Sequence, residues 1–168
     1  MGAGKTSVGR LLAERLDRPF RDSDDWLGRA TGRTAAEIEA AGGADALHPL
    51  ESRALLEALG DPTPSVIAAA ASVVDDPTAV EGLRRPGTVV VWLRADPATL
   101  VARAVTSGHR PWHGSAPLDH LRERDARRDP ARASLAAIVV DVTDLGPAAA
   151  VDRIVGQLEG DPARSTTP

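Results

Sequence analysis

The sequence predicts an α/β domain built on a parallel sheet with helices on both faces. Three observations carry that expectation. Short β-branched runs at residues 64–68, 88–93 and 138–142 alternate with helical patterns along most of the chain, the order that parallel strand–helix–strand units require. A glycine-rich turn, Gly2-Ala3-Gly4-Lys5-Thr6-Ser7, runs directly into an apolar helical pattern. The chain, at 168 residues with 42% hydrophobic and 26% charged residues, has the size and composition of one soluble domain with a real core.

The elements follow in order. Val8, Leu11, Leu12 and Leu16 recur at helical spacing, so a helix starts at the glycine turn. Residues 18–21 form an extended stretch leading into Asp22-Ser23-Asp24-Asp25. Helices are expected at 25–30, 34–41 and 45–59, with Thr34 and Glu37 as a capping box. Residues 64–68 read as a buried strand, 78–84 as a helix, and 88–93 (Thr-Val-Val-Val-Trp-Leu) as the strongest strand. Asp96-Pro97 opens a helix to about 105, with proline in its first turn. Residues 106–117, rich in Gly, Pro and His, read as a mobile loop. A helix at 118–127, a strand at 138–142 and a helix at 147–158 complete a single domain over 1–159. A polar tail covers 160–168.

Composition narrows the function. The chain has no cysteine, hence neither disulfides nor a thiolate metal site. It has no apolar run of membrane-spanning length. A net charge of −4 offers no general attraction to nucleic acid or an anionic membrane. The expectation is a cytoplasmic monomer acting on a small molecule, with any anionic ligand held by local groups.

Gly4-Lys5-Thr6 supplies the last three positions of the phosphate-binding P-loop pattern. Glycines let successive N–H groups turn toward phosphate oxygens at the positive end of the following helix. Lys5 is the only lysine in a chain with 20 Lys+Arg residues, and its compact ammonium suits the β- and γ-phosphates where a planar guanidinium does not. The Thr6 hydroxyl is placed to ligate Mg²⁺. The pattern's first glycine and the strand before it are missing, so the expectation is that the sheet's first strand is absent from this chain.

Asp22 and Asp24, spaced i, i+2 at a predicted strand end, would point to one side of an extended backbone. One could serve Mg²⁺ through water while the other orients or deprotonates an acceptor hydroxyl; a helix cap is the compatible alternative. Arg110 and Arg128, from a basic loop and an arginine-rich helix, are candidate cations for phosphoryl transfer. His48 and His113 fit no metal-ligand spacing.

These stretches together resemble the shikimate kinase family. The match runs through Gly2 to Thr6 with Val8 to Ala13, then Asp22-Ser23-Asp24 and Thr31-Gly32-Arg33-Thr34-Ala35-Ala36-Glu37-Ile38. It continues through Leu47 to Glu51, Arg110-Pro111 and Arg128-Asp129-Pro130, in family order over nearly the whole chain. The resemblance implies a P-loop NTPase fold of the nucleoside-monophosphate-kinase kind, a five-stranded parallel sheet with a lid, and transfer of the ATP γ-phosphate to the 3-hydroxyl of shikimate. It implies that Gly2, Ala3, Gly4, Lys5, Thr6 and Ser7 hold ATP, that Thr6 and Asp22 serve Mg²⁺, and that Asp24 holds the acceptor hydroxyl. Arg110 would be the lid arginine, Arg103 and the Gly146-Pro147 loop would lie near adenine, and Arg128 would grip the acceptor carboxylate. Where the family carries Phe-Arg beside the acceptor this chain has Leu47-His48, and where it carries a triple glycine this chain has Ala68-Ala69-Ala70. These departures keep two alternatives open: a kinase for another small polyol or hydroxy acid, and a nucleotide-binding relative with little transfer activity.

Overall fold

The computed structural model describes residues 2–107 and 117–160. Gly4, at φ 77°, turns the chain into α1 (Lys5–Arg15), which buries Val8, Leu12 and Ala13. Residues Phe20–Asp22 form β1, and Asp22 then caps α2 (Ser23–Thr31) by accepting the Asp24 N–H. Helix α3 (Ala35–Gly60) opens with the expected capping box. The two helices predicted here are both present within this range, and Gly43, at φ 67° and ψ −165°, breaks the helical path between them. Then come β2 (Val66–Ala68), a 3₁₀ turn over Ala71–Asp75, and α4 (Pro77–Leu83). The second half is β3 (Val91–Arg94), α5 (Pro97–Ser107), α6 (Pro117–Leu135), β4 (Ile138–Asp141) and α7 (Pro147–Glu159).

Among the described residues both ladders are parallel. β1 pairs with β2, setting Asp22 opposite Ala68, and β3 pairs with β4, setting Arg94 opposite Asp141. Helix α1 packs on β1, β2 and α7. One core joins Val8 and Leu12 of α1 to Ile138 and Val140 of β4 and to Val151, Ile154 and Val155 of α7. A smaller cluster of Leu55, Val73 and Ala79 lies under α3 and α4.

Among the described residues, β2 and β3 do not pair, so the strands form two two-stranded ladders instead of one sheet. Between them runs a cavity of about 950 Å³, whose walls include Val66, Ile67, Val91, Leu93 and Leu12. Helix α6 continues past its predicted end at 127, with Pro130 inside it. Arg132 holds it across the proline through Asp125 (3.0 Å) and Asp129 (2.9 Å). Among the described residues no helix is long and apolar enough to cross a membrane.

Candidate functional site

Parallel ladders present a common carboxyl end, and the site is built there from the loop before α1, the end of β1 and the segment after β2. Helix α1 has no side-chain cap, which leaves its first-turn amides to a ligand. Gly2 sits at φ 79°, and a Cβ there would come within 2.5 Å of the Leu100 carbonyl oxygen, so the loop's course depends on glycine. Thr6 Oγ1 donates to Asp22 Oδ2 at 2.8 Å, tying α1 to the tip of β1. Asp22, 8% exposed, accepts from the Asp24 N–H with its other oxygen at 3.0 Å.

Lys5 lies within electrostatic reach of the Asp24 and Asp22 carboxylates. The residue as a whole is half-buried, but its ammonium end is enclosed by protein. Burial pushes its pKa below the ordinary lysine value. Asp24 and then Asp22 pull it back up, Arg132 lowers it again and Glu51 raises it, and burial prevails.

A cavity of about 800 Å³ opens beside this cluster, lined by Lys5, Thr6, Asp22, Asp24, His48 and Arg128 among others. Residues from the first half of the chain and from α6 therefore converge on one space. The paired aspartates arrive by a route other than the one expected: Asp22 ends β1, whereas Asp24 lies in the first turn of α2. The cap and the cluster are the same structure.

The alanine run divides. Ala68 and Ala70 line this cavity; Ala69 does not, and with Ala70 it packs against the Leu55 cluster. Of the three alanines expected at the acceptor, two therefore stand on this wall, as neighbouring residues of an extended segment point to opposite sides. Ala71 and Ser72 line the cavity in the place of Ala69. Arg128 is only 4% exposed and donates through Nε to Asp75 Oδ2 at 2.8 Å, with Nη2 on the same oxygen. Arg103 donates to the carbonyls of Val142 (3.0 Å) and Thr143 (2.9 Å), bracing the turn that leads to Gly146, the N-cap of α7, and to Pro147 at its start. Arg110, Pro111 and His113 lie outside the described residues.

Four residues of the site escaped the sequence reading. Glu51, 4% exposed, accepts from the Ser72 hydroxyl, and both line the cavity. Glu51 lies i+3 from His48 on α3, a same-face spacing that could have singled it out. Arg132 acts on Lys5 electrostatically, and Asp75 holds Arg128; no sequence signal marks either pairing.

Thr6 and Asp22 offer a hydroxyl and one carboxylate, hard oxygen donors already side by side. That set fits Mg²⁺, which keeps several waters and takes its remaining ligands from substrate phosphates. It does not fit a metal held by protein alone, and no cluster of three or more His, Cys, Asp or Glu suited to one occurs among the described residues.

A family description, shikimate kinase, matches residues 1–159. The shikimate kinase of Symbiobacterium thermophilum is 43% identical over 141 residues, 82% of this chain and 80% of that protein. That of Paramagnetospirillum magneticum is 37% identical over 156 residues, 92% of this chain and 78% of that protein. The solved shikimate kinase from Acinetobacter baumannii in complex with shikimate superposes with a TM-score of 0.84 at 25% identity, covering 96% of this chain and 90% of that one.

Proposed function

Because this chain belongs to the shikimate kinase family, we propose that it transfers the γ-phosphoryl group of ATP, with Mg²⁺, to a ring hydroxyl of shikimate. The observation that carries this reading is the convergence of Lys5, the Thr6–Asp22 hydrogen bond and Asp24 on one cavity wall.

The turn at Gly2-Ala3-Gly4 and the uncapped start of α1, with Ser7 in its first turn, receive the phosphates. Lys5 adds its charge where the γ-phosphoryl group departs. Thr6 and Asp22 would hold Mg²⁺, which neutralises phosphate charge as it develops. Asp24 orients the acceptor hydroxyl toward the γ-phosphorus. As the new O–P bond forms and the bond to the bridging oxygen of ADP breaks, Asp24 takes the hydroxyl proton. Arg128 holds the acceptor's carboxylate, with His48, Glu51 and Ser72 around the ring, while Ala68 and Ala70 close the cavity floor. Arg103 with the Gly146-Pro147 turn forms the adenine side, and Arg110 is the further cation assigned to the phosphates by the family resemblance.

A second reading, a related hydroxylated acid as acceptor, is favoured by His48 together with Ala68 and Ala70 on the cavity wall. The Asp24→Asn variant should lower shikimate-dependent ADP production about a hundredfold or more while leaving ATP binding intact. Full turnover in that variant, or a better rate with other hydroxy acids than with shikimate, would remove the assignment.

A further inference from the structure

We propose that Asp75 sets the affinity of this site for an acidic acceptor, by competing with the acceptor's carboxylate for Arg128. The inference rests on the reading of Arg128 as the acceptor's partner and goes beyond it to a residue on the far side of the guanidinium. Arg128 is a wall of the acceptor cavity and one of the few charged side chains buried in the fold, at 4% exposure. Its Nε and Nη2 both donate to Asp75 Oδ2. The Nε/Nη2 edge is one of the two edges with which a guanidinium grips a carboxylate through parallel bonds, and here an internal carboxylate already occupies it.

Asp75 stands at the end of the 3₁₀ turn that begins just after Ala70, so the segment that floors the cavity also carries the competitor. Arg127 Nη2 lies 3.8 Å from the same oxygen, and His48 on α3 is near enough to act on the carboxylate electrostatically. Burial pushes the Asp75 carboxyl up, but the hydrogen bond and charge of Arg128, with Arg127 and His48 adding to them, hold it below the ordinary range. It therefore stays ionised at neutral pH and remains a true rival for an acceptor acid. Arg128, which would receive a substrate carboxylate, is also the group that Asp75 draws on.

An acidic acceptor must then displace Asp75 or share Arg128 with it, and either raises the acceptor's KM without touching the phosphate half. In the full-length chain, Asp75→Asn keeps the shape and removes the charge. Its KM for shikimate should fall about tenfold, with kcat and the KM for ATP within about twofold of the unaltered protein. The neutral carboxamide of shikimate, which has no charge to place on Arg128, should show no such gain. A purely structural Asp75 would move both acceptors alike. Crystals of the unaltered protein with shikimate give a second readout that needs no variant: the Arg128–Asp75 bonds should be opened, with the guanidinium on the substrate. Turnover with an unchanged or higher shikimate KM in Asp75→Asn, or Arg128 still on Asp75 beside bound shikimate, overturns the role of Asp75 alone. Absence of shikimate turnover in both proteins overturns the acceptor assignment, and this proposal with it.

Discussion

The ammonium of Lys5 is buried, and the burial opposes its charge. Its folded pKa lies below the ordinary lysine value, so the unfolded chain binds the proton more tightly. Lys5 thus subtracts stability at neutral pH, and the deficit shrinks as pH rises from the folded value toward the ordinary one. Lys5→Met keeps the length and removes the charge. Its thermal midpoint should equal or exceed that of the unaltered chain, while stabilisation by ATP disappears. For the unaltered protein, ATP at about a hundredfold over its dissociation constant contributes about 2.7 kcal/mol, roughly 5–10 °C for a domain of this size. A midpoint shift by ATP that survives in Lys5→Met would disprove the phosphate assignment. On the acceptor side, His48→Arg restores a guanidinium beside Arg128 and should lower the shikimate KM about tenfold, one charge-assisted bond being worth roughly 1.5–3 kcal/mol. Ala69→Gly is the control: it faces the Leu55 cluster and should lower stability by about 0.5–1 kcal/mol without moving that KM. If Ala69→Gly shifts the KM as much as His48→Arg does, the division of the alanine run is wrong.

At the scale of elements, the capping box of α3 shows local chemistry and fold agreeing. The Thr34 N–H donates to Glu37 Oε2 at 2.7 Å, and the Glu37 N–H donates back to Thr34 Oγ1 at 3.2 Å. The Thr34 backbone and then its hydroxyl depress the Glu37 pKa, with burial opposing slightly and Arg33 adding to the depression. A carboxyl lowered in the folded state contributes stability above its unfolded pKa and loses it as pH falls through the folded one. Glu37→Gln should therefore melt below the unaltered chain at neutral pH, with the gap closing once the pH falls into the acid range below the ordinary glutamate value. A gap independent of pH would remove the charge from the cap's account.

Such local signals are what the sequence made legible. The Thr34/Glu37 spacing, the glycine turn before α1 and the β-branched runs each announce themselves within a few residues, and each lies where expected within a residue or three. Helix α6 does not, because Pro130 argues for a stop, whereas the Arg132 ion pairs and the Arg128–Asp75 contact help to carry it onward. In the site, Lys5, Thr6, Asp22 and Asp24 were readable from spacing and chemistry. Asp75 and Ser72 were not, since their roles depend on partners from α6 and α3 far away in the chain.

The whole molecule is divided by the cavity between β2 and β3. Each of these strands pairs on one edge only, β2 with β1 and β3 with β4, and their other edges face the same space, walled by Val66, Ile67, Val91 and Leu93. Strands in one sheet lie about 4.8 Å apart, so a single strand entering this space would pair with both if β2 and β3 stand about twice that distance apart. A buried amide or carbonyl without a partner costs about 1–3 kcal/mol, against a typical total stability of about 5–15 kcal/mol. A few such groups therefore matter to the whole fold, and the apolar walls add exposed area that water must cover. Joining a five-residue β-branched strand through a short glycine-containing loop ahead of Gly2 should fill the cavity in parallel register, because the loop before α1 already lies at the carboxyl end of the ladders. That version should melt several degrees higher than the 168-residue chain and bind less of a dye that reports exposed apolar surface. It should also bind ATP more tightly, since the turn that receives the phosphates would hang from a paired strand at both flanks. Equal midpoints and equal dye binding in the two proteins would show that the two ladders are complete as they stand, and that the cavity is not a strand site.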